Sequence, residues 1–117
     1  MEVIVFEGEL RMGDSRNATM VFAQDFRAEQ CAGRRRELIV ECDGVQILGQ
    51  SNHLEVSSHM VYVDATMIGR IRSDRTLFAT LPLVEAGVHR VRVEVSPFPG
   101  FGLCDDFTLK RIIFRCD

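Results

Sequence analysis

Tryptophan is absent from the 117 residues, tyrosine occurs once, and lysine occurs once, as Lys110. No uncharged apolar run approaches the roughly 18 residues that a membrane-spanning helix requires, so no such span and no membrane partner are expected. Cysteine pairs of the CxxC type are missing. Cys31, Cys42, Cys104 and Cys116 match no zinc ribbon or finger in their spacing, and they read as small buried hydrophobes with free thiols. GxSxG, HExxH and P-loop motifs are also missing, which removes the common signatures of serine hydrolases, zinc proteases and nucleotide-binding enzymes. Neither catalysis nor a cofactor is expected. The opening MEVIVFEGEL lacks the basic and apolar regions of a signal peptide, so synthesis in the cytoplasm without export is the expectation. The net charge of −3 gives no support to nonspecific nucleic-acid binding.

The length allows one domain over residues 1–117, because a second would have too little core of its own. Apolar content of 46% with a small net charge marks a chain that folds. Alternation with a period of two dominates, and long 3.6-residue periods do not occur. The clearest case is VHRVRVEV at 88–95, with His89, Val91, Val93 and Val95 on one face and Arg90, Arg92 and Glu94 on the other. Further strands are read at 2–6, 18–23, 37–42, 45–49, 59–64, 68–72, 76–81 and 107–116, with an edge strand inside 50–58. Asp43-Gly44 between two apolar runs predicts a tight hairpin. In the last strand Lys110, Ile112, Phe114 and Cys116 are expected on one face, and Arg111, Ile113 and Arg115 on the other. So many short strands separated by turn signals specify an all-β antiparallel sandwich of jelly-roll or immunoglobulin-like type.

The distal half adds a resemblance. Val61, Val63 and Asp64 in a hairpin, Leu83 and Gly87 in an L-x-x-G-like ending, the Val91–Val95 alternation, and Asp105 or Asp106 before the final strand resemble galactose-binding-like and carbohydrate-binding jelly rolls. Comparable grammar occurs in small β-sandwich parts of phage tails and capsids. The carbohydrate resemblance implies sugar binding, which would fall on Tyr62, Asp64 and Asp106. It also implies a calcium option at the Asp105-Asp106 pair with Asp14 or Asp64. Two departures oppose these implications. Sugar faces stack on flat aromatic rings, and this chain offers a single tyrosine and no tryptophan. Calcium takes six to eight oxygens, and no acidic loop is dense enough to supply them, so no metal site is expected.

Two other features suit protein contacts. Phe98 and Phe101 lie in SPFPGFG, a loop shaped by Pro and Gly that either docks a partner or folds back over the end of the sandwich. Arg34, Arg35 and Arg36 form a basic cluster, read as a solvated loop or as a contact for an acidic surface. The Arg rows at 90/92 and 111/115 are expected to pair with acids across strands. The reading is a non-catalytic sandwich acting through a protein partner or self-assembly, such as a small virion, tail or decoration component. A carbohydrate-binding module is the alternative.

Overall fold

A computed structural model describes residues 1–13, 15–29, 35–45, 59–79, 85–95, 97–98, 103–104 and 106–117. The strands are β1 (Glu2–Met12), β2 (Val21–Ala28), β3 (Arg36–Asp43), β4 (His59–Val63), β5 (Thr66–Ile71), β6 (Arg75–Phe78), β7 (Gly87–Glu94), β8 (Pro97–Phe98), β9 (Leu103–Cys104) and β10 (Phe107–Cys116). No described residue is helical.

Two four-stranded antiparallel sheets carry the core, in the orders β1-β10-β3-β6 and β2-β7-β4-β5. Leaving aside the small β8–β9 hairpin, eight strands remain. The first pairs with the last (β1 with β10), the second with the seventh (β2 with β7), the third with the sixth (β3 with β6), and the fourth with the fifth (β4 with β5). That nesting is an antiparallel ribbon rolled upon itself, the jelly roll. The immunoglobulin-like option is set aside by this order.

The core lies between the sheets. Phe107, Leu109, Ile112 and Phe114 of β10 and Leu38 and Val40 of β3 meet Val61 of β4 and Val91 and Val93 of β7, all fully buried. Phe26 of β2 reaches across to Phe114, with ring centroids 5.1 Å apart. Phe6 and Phe22 close another edge in a T-shaped contact at 5.0 Å, and Phe107 stacks on the buried His59 at 4.5 Å. Such aromatic pairs add about 0.5–1.5 kcal/mol to the burial of their area.

Several expectations need correction. The first strand does not end at residue 6. The register passes from Glu7↔Arg111 to Leu10↔Leu109, so Gly8 and Glu9 bulge opposite Lys110 and β1 continues to Met12. Lys110 is also an extra residue relative to β3, where Leu109 faces Cys42 and Arg111 faces Glu41. Lys110 therefore drops out of the inward series, and the buried face runs Phe107, Leu109, then Ile112, Phe114 and Cys116. Third, β3 does not form the tight hairpin expected at Asp43-Gly44, because its two edges are held by β10 and β6. The chain does turn there, with Gly44 at φ 84° and the Val45 amide donating to Asp74 Oδ1 at 2.8 Å. The strands expected at 45–49 and in 50–58 lie outside the described residues, Val45 excepted.

The second strand runs over Val21–Ala28 instead of 18–23. Phe26 and Ala28 are its buried anchors, and the QDFRA stretch is too polar for periodicity to reveal them. The cysteines divide. Cys42 is a buried thiol outside any disulfide, as read from the sequence, but Cys116 is disulfide-bonded. Its partner sulfur is not among the described side chains.

Phe114→Ala is expected to cost about 3–5 kcal/mol in a urea-unfolding experiment, since a fully buried ring that bridges both sheets leaves a cavity. A loss below about 1 kcal/mol would mean that β10 is not the centre of this core.

Candidate functional site

The residues expected to form a sugar site do not converge. Tyr62 lies on the outward face of β4 and is half-buried. Its ring is covered by the Arg92 guanidinium, 4.2 Å from the centroid, a cation–π contact that occupies the face a sugar would stack on. Arg92 Nε lies 3.1 Å from Glu94 Oε1. The pair is close but not aligned as a hydrogen bond, so that buried N–H depends on the ring and the nearby charge. Asp64 sits in the β4–β5 turn at φ 54°. Asp106 precedes Phe107, whose ring stacks on His59 at the other end of β4, so the two aspartates lie at opposite ends of that strand. Asp106 Oδ1 accepts weakly from the Ser15 amide at 3.4 Å, and a Cβ at Gly13 would collide with it. This aspartate closes a turn.

Asp64 joins a second constellation that sequence reading did not identify. Its Oδ2 accepts from His89 Nδ1 at 2.8 Å and its Oδ1 from the Arg90 amide at 3.0 Å. His89 Nε2 meets the Glu85 carbonyl at 2.6 Å. Both ring nitrogens thus face acceptors, and only the imidazolium can donate to both. Partial burial disfavours that charge, yet the Asp64 carboxylate and the Glu85 carbonyl outweigh it and raise the His89 pKa. Burial likewise works against the Asp64 carboxylate, and His89 with the Arg90 amide outweighs it, lowering that pKa. On the exposed surface nearby, the Asp25 carboxyl is lowered by a 2.7 Å hydrogen bond from Arg90 Nε. His89 packs against Phe26 with its ring 5.8 Å away, so the pair pins the β4–β5 turn and β7 to the core. Every polar atom of the His–Asp pair is engaged in holding the chain.

Of the basic cluster, Arg34 lies outside the described residues. Arg35 is exposed and 3.9 Å from Asp117, also exposed, a pair of negligible strength. Arg36 opens β3 opposite Cys116. Phe98 falls in β8, where the backbone pairs with Leu103; the apolar loop expected there is a hairpin at its base. The side chain of Phe98, and Phe101 altogether, lie outside the described residues.

The arrangement that sequence reading missed is the outer face of the β1-β10-β3-β6 sheet. Four aliphatic residues from four strands form one cross-strand row: Ile4, Ile113, Ile39 and Leu77. Ile4 is 54% and Leu77 46% exposed, while Ile113 and Ile39 between them are closed over. Charged rows flank it. On one side Glu2, Arg115 and Glu37 are in register, with Arg115 Nε 3.2 Å from Glu37 Oε1. On the other side stand Glu7, Arg111, Glu41 and Arg75, with Arg111 Nη2 2.7 Å from Glu41 Oε1 and Nη1 3.8 Å from Glu7. The acid partners expected for the Arg rows are therefore present. Beside the second row a shallow groove of about 380 Å³ is lined by Glu7, Gly8, Glu9, Glu41, Lys110 and Arg111. Its charges are already matched, with Lys110 Nζ 2.6 Å from Glu9. On the opposite sheet the exposed Val21, Val88 and Met67 stand apart, Val88 opposite Arg27 and Val21 opposite Glu94.

Among the described residues no group of three His, Cys, Asp or Glu is placed to hold a metal ion. No family model, curated protein or solved structure matches this chain.

The His89–Asp64 pair sets a pH window. A raised histidine pKa stabilises the fold below about pH 6.5, and that contribution is lost as pH rises through the folded value. A lowered aspartate pKa stabilises above about pH 3.8, lost as pH falls through the folded value. The stability gap between wild type and Asp64→Asn is therefore expected to be widest from about pH 4 to pH 6.5 and to shrink on the alkaline side. In an NMR titration the His89 midpoint is expected above about 6.5 and to fall in Asp64→Asn. Asparagine tolerates the left-handed turn and can still accept from the Arg90 amide. A His89 midpoint untouched by the substitution contradicts the pairing.

Proposed function

We propose that the chain is a non-catalytic jelly-roll assembly module that acts through protein–protein contacts, of the kind that builds small virion, tail or decoration components. The observation that carries this reading is the outer face of the β1-β10-β3-β6 sheet, where the exposed Ile4 and Leu77 end an aliphatic row that lies between two rows of alternating charge. Exposed aliphatic side chains rimmed by charge are what a protein interface presents. Isolated surface hydrophobes, as on the opposite sheet, need no such explanation.

The carbohydrate alternative draws on the distal-half resemblance and on a fold that also serves lectins. Against it stand the Arg92 cap on Tyr62 and the separation of Asp64 from Asp106. Disulfides persist in oxidising surroundings, virion surfaces included. The bonded Cys116 thus favours a working place outside a reducing cytosol, whatever the site of synthesis.

A glycan array combined with fractionation of the native source by size tests the reading. The chain is expected in fractions of larger protein particles or of its own oligomers, with no selective glycan signal. A chain found only as a solitary species that binds one glycan class, with binding abolished in Tyr62→Ala, would overturn it.

A further inference from the structure

We infer that the free edge of β2 pairs with β2 of a second copy of this chain, antiparallel about a two-fold axis perpendicular to the sheet, with Asp25 of each copy opposite Arg27 of the other. The inference rests on the assembly reading and gives it a partner and a contact separate from the face that carries Ile4 and Leu77.

The two sheets end in four edge strands, β1, β6, β2 and β5. β1 breaks register twice along β10. β5 carries Ile68 as an extra residue against β4, and a Cβ at its Gly69 would meet the Phe78 ring at 2.7 Å. β6 has four residues. Among the described strands β2 alone is a long and regular edge. Its register with β7 runs unbroken over eight residues, from Val21↔Glu94 to Ala28↔Gly87, and it contains no proline. Bulges and short strands keep an edge from pairing with another chain, whereas a long regular edge is a template for it.

The backbone groups on this edge follow from one hydrogen bond. The Val95 amide donates to the Met20 carbonyl at 2.9 Å, so position 20 bonds toward β7. In an antiparallel ladder that role recurs at every second residue. Phe22, Gln24, Phe26 and Ala28 therefore bond to β7, and the N–H and C=O groups of Val21, Ala23, Asp25 and Arg27 point away from it. All four of these residues are exposed, Val21 at 53%. Phe26 and Ala28 are buried, with side chains in the core and backbone toward β7, so their burial leaves the edge open. The exposed Gln24 side chain donates to the outward Asp25 carbonyl at 3.2 Å, a local contact that an incoming strand replaces.

Charge selects the partner and the register. Asp25 and Arg27 share the outer face, two residues apart. Asp25 accepts from Arg90 of β7 at 2.7 Å. Arg27 stands opposite Val88 of β7 and makes no ion pair among the described residues. Two-fold antiparallel pairing keeps the core faces on one side only when the opposed residues are an even number of positions apart. With Phe26 on the axis, Asp25 meets Arg27 of the second copy, and the contact occurs twice, as an isologous interface requires. Each Asp25 then stands between two arginines, Arg90 of its own chain and Arg27 of the other. Registers centred on Asp25 or on Arg27 oppose like charges. The register centred on Gln24 sets Asp25 against Ala23 and Arg27 against Val21, which leaves both charges unmatched. One strand from each copy makes a small interface, so a reversible dimer is expected.

The test is charge reversal with complementation. Asp25→Arg sets arginine against arginine across the axis, and Arg27→Asp sets aspartate against aspartate. Mixed together, the two variants oppose arginine to aspartate at both positions. Asp25→Pro removes one outward N–H and leaves the ladder to β7 in place, as proline on an edge strand does. Sedimentation velocity up to about 1 mM is expected to show a wild-type dimer, association at least about tenfold weaker in each single variant, and a 1:1 heterodimer in the mixture of the two charge variants. Circular dichroism and melting curves confirm that each variant folds, and should one fail to fold, the remaining ones carry the test. A wild-type dimer that these substitutions leave intact, or a mixture that does not re-associate, overturns the inference and leaves the assembly reading standing on another surface. A wild-type chain that stays monomeric throughout also overturns it, and the assembly reading then depends on particle fractionation alone.

Discussion

The last strand has to satisfy two surfaces at once, and the bulge at Lys110 makes that possible. Inward, Phe107, Leu109, Ile112, Phe114 and Cys116 fill the space between the sheets. Outward, Arg111, Ile113 and Arg115 stand at the centre of the three cross-strand rows. Strict alternation from Phe107 would bring Arg111 to the core and send Ile112 out to solvent. One extra residue resets the phase, and the bulge places that residue, Lys110, beside Glu9 at 2.6 Å. A charged side chain is tolerated there because it leaves the pleat.

The rolled-ribbon topology then distributes the roles. β10 sits between β1 and β3, so each outward side chain on it has a neighbour on both sides. Arg111 lies between Glu7 and Glu41, and Arg115 between Glu2 and Glu37. In the other sheet β7 plays the same central part, with Arg90 facing Asp25 and Arg92 lying over Tyr62. Arginine suits these positions because its planar group can donate to an acid or lie flat on a ring. Four of the thirteen arginines, Arg90, Arg92, Arg111 and Arg115, thus have structural uses, two on each sheet.

Much of the sandwich could be read from the chain itself, because half-buried strands advertise their phase. The β7 alternation stands as read, with Val91, Val93 and Val95 buried and His89 on their side. What the chain hides is non-local. Both bulges around Lys110 are two-against-one pairings with partners far away in sequence, and periodicity within one strand cannot register them. The aliphatic row is hidden for the same reason, since its members come from four strands. A trace of it does exist: Leu38-Ile39-Val40 and Ile112-Ile113-Phe114 are unbroken apolar triplets, and a triplet in a strand must place its middle residue on the outer face. Individual aromatic and acidic residues drew attention to Tyr62, Asp64 and Asp106. Each of these turned out to be engaged with a neighbour whose identity only the fold reveals.

Deletion of Lys110, compared with Lys110→Ala by thermal unfolding, tests most directly whether one inserted residue sets both surfaces. Lys110→Ala keeps the bulge and loses only an exposed ion pair, so its melting curve should stay close to wild type. Deletion removes the phase reset, which turns Phe107 and Leu109 outward or drives Arg111 into the core, and cooperative unfolding should be lost. A deletion variant that melts as cooperatively as wild type and at the same temperature contradicts the account.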